Sequence, residues 1–394
     1  MTKDRIVLLD ALRGLGVLGI LLCNAPDFAV IPALSESVSR WPHGTGPETL
    51  GVWAVTQWLF QRKFVTLFSM LFGVSLFLVG GDRTDPQRSA TLVRRLAWMA
   101  VFGLLHGFAI WYGDILLSYA LAGFAMLKAR SWSTGRLLKT GVAIWSILSL
   151  LFIVGPILST FEPAASTAAR MAKAGAIHAQ QTAAFSGDAW ASLVGNAQER
   201  LQRLAGEPVI VLMTSALMMI GLGCFKAGVL TGEASDRTYR RLIAWGLLAL
   251  AAVGGLIAWA LASHLSKLAL ATFSGVQIAT APLTTLAYVG LMVFAARSKG
   301  LLSKIPQVLA PVGRMAFTNY IAQSLIMGAI FYGGRGLSLF GKVDRPALAA
   351  ITVGVWIVQI LWSHWWMARH DAGPLEWVWR RLYRGPQAAS AEAR

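Results

Sequence analysis

Five stretches of this chain contain no Asp, Glu, Lys or Arg: Thr140–Thr160, Leu242–Ser266, Leu268–Ala296, Met315–Gly334 and Ala347–Ala368. Each reaches about the ~20 residues that a helix needs to cross a ~30 Å hydrocarbon core. The whole 394-residue chain is 56% hydrophobic and only 13% charged, whereas soluble domains run roughly 45–50% apolar and about 25% charged. A soluble enzyme of two or three domains is thereby excluded. The chain reads as all-α: a polytopic bundle of transmembrane helices.

Ten segments meet the length rule, at about 6–28, 57–80, 91–108, 110–127, 140–160, 208–226, 241–264, 270–296, 312–332 and 347–368. The third and fourth come from one nearly continuous run, Leu92–Leu127. As a single helix it would be ~54 Å long, too much for one crossing, and Gly107 and Gly113 supply the break. Ten crossings put both termini on one side, and that side holds 22 Lys and Arg against 9 on the other. The positive-inside rule then makes the termini cytoplasmic. A net charge of +17 would point to nucleic acid in a soluble chain. Here the basic residues sit between apolar blocks, so topology and the anionic lipid of the bilayer account for them, and no nucleic-acid partner is expected.

Lys3 and Arg5 before an apolar run have the charge order of a signal peptide, but Arg13 interrupts the run and no small-residue cleavage pattern ends it. It is read as a retained first span. Residues 1–385 are expected to form one integral membrane domain, with a single long extracytoplasmic loop at 161–207. That loop is Ala-rich with scattered charges, which suits surface-lying helices, acting either as a lid or as a solvated connector. Gly373–Pro374 opens the stretch LEWVWRRLYR, expected over 373–384 as an amphipathic anchor helix at the inner interface. The tail 386–394 is expected to be disordered.

Ionisable groups inside spans are costly and therefore functional candidates until a partner explains them. Asp10 and Arg13 are three apart on the first span and can simply pair. Asn24 lies on the same stripe, ~16 Å beyond Arg13, so the three could line a cavity. Gly14, Gly16 and Gly19 thin that helix for close packing. The run Leu105–Leu116 places His106 near the end of one span and Asp114 near the start of the next. A histidine held by a carboxylate has a fixed tautomer and can act as a general base; the plain alternative is a hydrogen-bonded packing residue. On the ninth span Arg314 can snorkel to the inner face or meet a substrate; Thr318 is read as bonding between helices, and Asn319 and Gln323 can do the same or meet a substrate. The pair Arg62–Lys63 means either an aqueous cavity or a re-entrant piece in the second span. Cys23 and Cys224 lie in apolar segments and support neither disulfide nor metal. No zinc, P-loop, dinucleotide or nucleophile-elbow signature fits its context, and His43, His178, His264, His364 and His370 receive no role.

Four stretches, LDALRGLGVLGILLCN (Leu9–Asn24), KFVTLFSMLFG (Lys63–Gly73), LHGFAIWYGDILLSYA (Leu105–Ala120) and VGRMAFTNYIAQ (Val312–Gln323), followed by GPLEWVWR (Gly373–Arg380), carry a resemblance. They resemble the YeiB-like family of bacterial inner-membrane proteins, whose C-terminal half is a domain of unknown function and whose members are loosely associated with transport. The first-span pattern is also similar to that of membrane-bound acyltransferases of the acyltransferase-3 and heparan-glucosaminide acetyltransferase types. In the acyltransferase-3-like group an Arg is followed, after ten intervening residues, by a His; here Arg13 is followed at that spacing by Asn24. The departure leaves His106 as the better base.

The resemblance implies acyl transfer across the membrane, from cytoplasmic acyl-CoA as donor to an envelope glycan or small-molecule acceptor. Arg314, Arg94 or Arg95 would meet the donor's phosphates, His106 would act as base and Asp114 would orient it. Asn24 or Arg13 would stabilise developing charge, with Asp10, Asn319 and Gln323 also contacting substrate. The alternative is a small-solute transporter using Asp10, Arg13, His106 and Asp114, although no pair of discontinuous helices is visible in the sequence. A scaffold for an envelope complex is the third reading and leaves the His–Asp pair unexplained.

Overall fold

The computed structural model describes residues 3–162 and 164–384; the tail at 386–394, expected to be disordered, lies outside them. Among the described residues there is no strand. Hydrocarbon offers the backbone no partners, so a chain this apolar satisfies its N–H and C=O groups within helices.

Helix α1 (Lys3–Ala29) is followed by the short α2 (Pro32–Ser35), α3 (Pro47–Val55), α4 (Lys63–Gly80), α5 (Pro86–Leu105) and α6 (Leu116–Ala125). Then come α7 (Thr134–Ser159), α8 (Ala164–Ser186), α9 (Ala189–Arg203), α10 (Glu207–Lys226), α11 (Asp236–Ala262) and α12 (Lys267–Arg297). The chain closes with α13 (Lys304–Arg314), α14 (Ala316–Phe331), α15 (Arg345–Met367) and α16 (Pro374–Arg384). Among the described residues eight helical stretches are long and apolar enough to cross a membrane, and α6 and α14 are shorter apolar helices. These two coincide with the expected fourth and ninth spans. With 10 and 16 residues they rise only ~15 and ~24 Å, because each is preceded by a break in the helical path.

Those breaks are stabilised by buried partners. Between α3 and α4 the backbone makes one π turn, and Arg62 adopts a left-handed φ of 70°. The freed carbonyl of Gln57 accepts from Lys63 Nζ at 2.9 Å and from Gln277 Nε2 at 2.6 Å, while Tyr288 donates to Leu59 O at 2.8 Å. The expected basic pair is thus split: Lys63 is buried and caps the break, while Arg62 faces a cavity. A second break falls at Met315, between α13 and α14. The Glu376 carboxylate of α16 there accepts from Phe317 N at 2.7 Å and Thr318 N at 3.1 Å. The helix expected only to anchor the C-terminus therefore also caps α14.

Small residues hold the centre together. A Cβ on Gly313 would lie 1.7 Å from Asp10 O, and one on Gly14 would lie 2.1 Å from Leu309 O, so α1 and α13 touch backbone to backbone. Gly73 against Met218 O and Gly221 against Met70 O do the same for α4 and α10, each at 2.3 Å. Such approach lets dispersion and polar contacts drive association where lipid is as apolar as the interface. The span of α1 buries 67% of its apolar stretch and that of α7 only 22%: one is a central helix, the other a rim helix.

Candidate active site between two cavities

Two cavities lie near opposite ends of α1. The first, about 560 Å³, is lined by Arg13, Arg95, Arg314 and Arg380 together with Asp10 and Glu376, and continues along Phe68, Phe72, Met99 and Tyr320. The second, about 750 Å³, is lined by Asn24, Asp27, Gln61, Arg62, Arg203 and Gln277 and reaches Asp114. Ile115 lines both.

His106 sits beside that shared wall, 1% exposed. Its Nδ1 is 2.8 Å from Asp114 Oδ1 and its Nε2 is 2.9 Å from Ser324 Oγ. An ionised carboxylate only accepts, so Nδ1 carries the proton and Nε2 is left to accept from the Ser324 hydroxyl. The same carboxylate accepts from Leu116 N at 3.1 Å and Leu117 N at 2.9 Å, capping α6 while it orients the imidazole. The Tyr320 ring lies 5.1 Å from the imidazole, and its hydroxyl oxygen accepts from Ile115 N at 3.3 Å.

The turn that brings His106 and Asp114 together is held from outside. One π turn at His106–Ile110 ends α5, and Trp111 is extended at φ −152°. Asn196 of α9 accepts from Tyr112 N at 2.7 Å and donates to Gly107 O at 3.0 Å and Phe108 O at 2.9 Å. Arg200, also on α9, pairs with Glu207 at 3.2 Å, and Ser118 donates to the same carboxylate. Ser192, Asn196, Glu199 and Arg200 are all buried. This part of the expected 161–207 loop is a packed cover over the turn, and the solvated-connector alternative does not describe it.

The other candidates divide. Arg13 donates to Asp10 at 2.7 Å and lines the first cavity, while Asn24 lines the second, so the stripe expected along α1 serves two separate spaces. Arg314 lines the first cavity, exposed, and donates to Asp371 O at 3.1 Å. Arg95 reaches Ser75 Oγ at 2.9 Å under the Trp379 ring, whereas Arg94 is exposed and outside either lining. Asn319 and Gln323 line neither cavity. Asn319 donates to Val312 O at 3.1 Å and Ser363 Oγ at 3.0 Å. Gln323 donates to Val17 O at 3.1 Å and Gln359 Oε1 at 2.9 Å. Both knit α14 to its neighbours, the interhelical reading.

Ser324, Tyr320, Asn196, Arg200 and Glu207 escaped the sequence reading. Ser324 carries no charge to betray it. Arg200 and Glu207 are seven apart, close to two helical turns, a spacing that could have paired them.

Residues 224–386 match a family described as "Protein of unknown function (DUF418)". The chain is 31% identical to "Uncharacterized protein YeiB" of Escherichia coli (strain K12), covering 96% of each chain. It is 30% identical to "Uncharacterized protein YxaH" of Bacillus subtilis (strain 168), over 96% of this chain and 94% of that one. A 39.9 kDa protein encoded beside an amylase in Bacillus acidopullulyticus is 24% identical over 96% of this chain and 94% of its own. No solved structure matches. With the relatives matched nearly end to end, the chain belongs to the YeiB- and YxaH-like family of helical membrane proteins that carry the DUF418 domain.

Proposed function

We propose that this protein is a membrane-bound acyltransferase, moving an acyl group from cytoplasmic acyl-CoA to a hydroxyl or amine of an extracytoplasmic glycan or small molecule. One observation carries the reading: the buried His106–Asp114 pair adjoins the wall shared by two cavities of different character. The positive-inside bias of 22 to 9 supports ten crossings of the bacterial inner membrane with cytoplasmic termini, so that the arginine-rich cavity opens inward. Arg95, Arg314 and Arg380 suit the phosphates of CoA, and the apolar part beyond them suits the thioester arm. The second cavity opens outward, where Asn24 and Gln61 suit an acceptor. His106 Nε2 takes the attacking group's proton and later returns a proton to the leaving thiolate, while Asp114 holds the imidazole. The Tyr320 hydroxyl, which accepts from Ile115, keeps its own proton for the developing oxyanion.

The test is release of CoA thiol by detergent-purified protein given acyl-CoA and an acceptor panel, read beside thermal stability. The expected result is turnover that His106→Ala abolishes while CoA still stabilises the fold. Occupancy at a hundredfold excess over Kd adds about 2.7 kcal/mol. Turnover unchanged in His106→Ala would remove His106 from the chemistry. A second reading, export of a small solute along Asp10, Arg13, His106 and Asp114, draws on the two helix breaks, at Arg62 beside one cavity and Met315 beside the other. It predicts gradient-dependent flux in proteoliposomes and no covalent change to the solute.

A further inference from the structure

The group within reach of the base is not a cavity atom but Ser324. We propose that Ser324, His106 and Asp114 form a nucleophilic triad and that the acyl group is parked covalently on Ser324 between the two half-reactions. This rests on the acyl-transfer reading and adds a residue and a kinetic order to it. The members come from separate elements: His106 from the π turn that follows α5, Asp114 from just before α6, and Ser324 from α14, 218 residues from His106 in sequence. A nucleophile hydrogen-bonded to a base that a third group orients is the arrangement that activates a hydroxyl, and it is recognised by geometry whatever the chain order. The hydrogen bonds at 2.9 and 2.8 Å meet it. Leu116 N donates to the oxygen that His106 also contacts and Leu117 N to the other, which pins the carboxylate.

The location gives the intermediate a purpose. A donor from one cavity and an acceptor from the other need not meet at the same moment if the acyl group waits in the wall. In the first half-reaction Ser324 Oγ attacks the thioester carbonyl and its proton passes to His106 Nε2. The C–S bond breaks and the thiolate leaves with that proton, as free CoA thiol. In the second, the acceptor's O–H or N–H attacks the seryl ester, giving its proton to Nε2. The acceptor–acyl bond forms, the bond between the acyl carbon and Ser324 Oγ breaks, and Oγ takes the proton back from Nε2. Nothing is oxidised or reduced. Ser324 is 2% exposed, so only a group entering the wall, where Ile115 is common to both cavities, reaches it.

The test incubates the full-length detergent-purified protein with acetyl-CoA without acceptor, followed by intact-mass and peptide mapping. A fluorophosphonate probe is run in parallel. The expected result is one acetyl group on Ser324, absent in Ser324→Ala and in His106→Ala, with thiol release reduced at least about a hundredfold in each. Ser324→Cys, nearly the same size, guards against misfolding and is expected to form an acetyl-thioester instead. Ser324→Ala protein that is folded and transfers at the wild-type rate overturns the triad, as does an adduct mapped to any other residue. If no acyl-CoA is turned over but the fluorophosphonate labels Ser324 in a His106-dependent way, the triad stands and the CoA reading falls. If neither reagent modifies Ser324 in folded protein, the triad falls, and the thiol-release assay alone then decides the CoA reading.

Discussion

The two cavities differ less in size than in how their charges are engaged. In the first, two of the lining carboxylates are committed to the protein, Asp10 holding Arg13 and Glu376 capping α14, while Asp371 lines the cavity as well. That leaves Arg95, Arg314 and Arg380 as a positive surface. In the second, Arg203 pairs with Glu199 at 2.9 Å and Arg200 with Glu207, and other charges of the lining, Arg62 and Arg345 against Asp27 and Glu36, are of both signs. Among the described residues Asn24 and Gln61 line it with side chains that make no hydrogen bond. Under the proposed function, the first chamber takes the anion with an apolar arm and the second takes the hydrogen-bonding acceptor. Net charge in a lining follows from which carboxylates are already engaged, and not from a count of arginines.

The largest expected effect falls on the wall between them. His106→Ala or Asp114→Asn should cost ~10²–10⁴ in transfer rate and leave CoA binding within twofold. A parallel loss of binding, measured by thermal shift, would mean that wall and chambers are one unit. Next, Arg95→Ala should weaken CoA about 10- to 100-fold, since a hydrogen bond to a charged group contributes ~1.5–3 kcal/mol. Arg62→Ala, in the other chamber, should leave CoA affinity unchanged. Equal sensitivity at both sites would erase the contrast. A smaller, structural effect is expected for Asn196→Ala. It strips partners from Tyr112 N, Gly107 O and Phe108 O, at about 1–3 kcal/mol of stability. Hydrogen exchange at the Tyr112 amide, faster than at the α4 core, would report it.

The smallest effect concerns the lid of the basic chamber. Burial raises the Glu376 carboxyl above its usual range, against the hydrogen bonds from Thr318 and Phe317 that pull it down. A carboxyl whose pKa is higher in the docked state favours docking when protonated. The attachment of α16 is therefore expected to be strongest at acid pH and to loosen as pH rises through that raised pKa. Limited proteolysis of α16 across roughly pH 4–8 checks the sign. Glu376→Gln should flatten the profile; protection that grows with pH would refute it.

How much was legible follows from what hydrophobicity encodes. The charge-free blocks marked the long helices because lipid punishes charge over a whole stretch. The His106–Asp114 contact was readable because the two flank one tight turn. Asn24 and Arg13 were rightly placed on one face of one helix, but periodicity carries no information about which chamber each end meets. Ser324 and Asn196 join the site from 218 and 84 residues away, through neutral side chains that leave no mark on a hydropathy pattern. Of the broken helices, the one at Arg62–Lys63 left a trace as a basic pair inside an apolar run, whereas the one at Met315 was silent, since Glu376 satisfies its exposed backbone from another helix.

The backbone contact between Gly14 and Gly313 also has a consequence during synthesis. Its two halves leave the ribosome 299 residues apart, roughly 15–60 s at ~5–20 residues per second. Throughout that interval α1 sits in the bilayer with its central groove empty and its Asp10–Arg13 pair without the neighbour that covers it. A chain truncated before α13 would be held in that incomplete state, an orphan for membrane quality control. The packing of α1 is thus completed only when α13, 299 residues further along the chain, has been made.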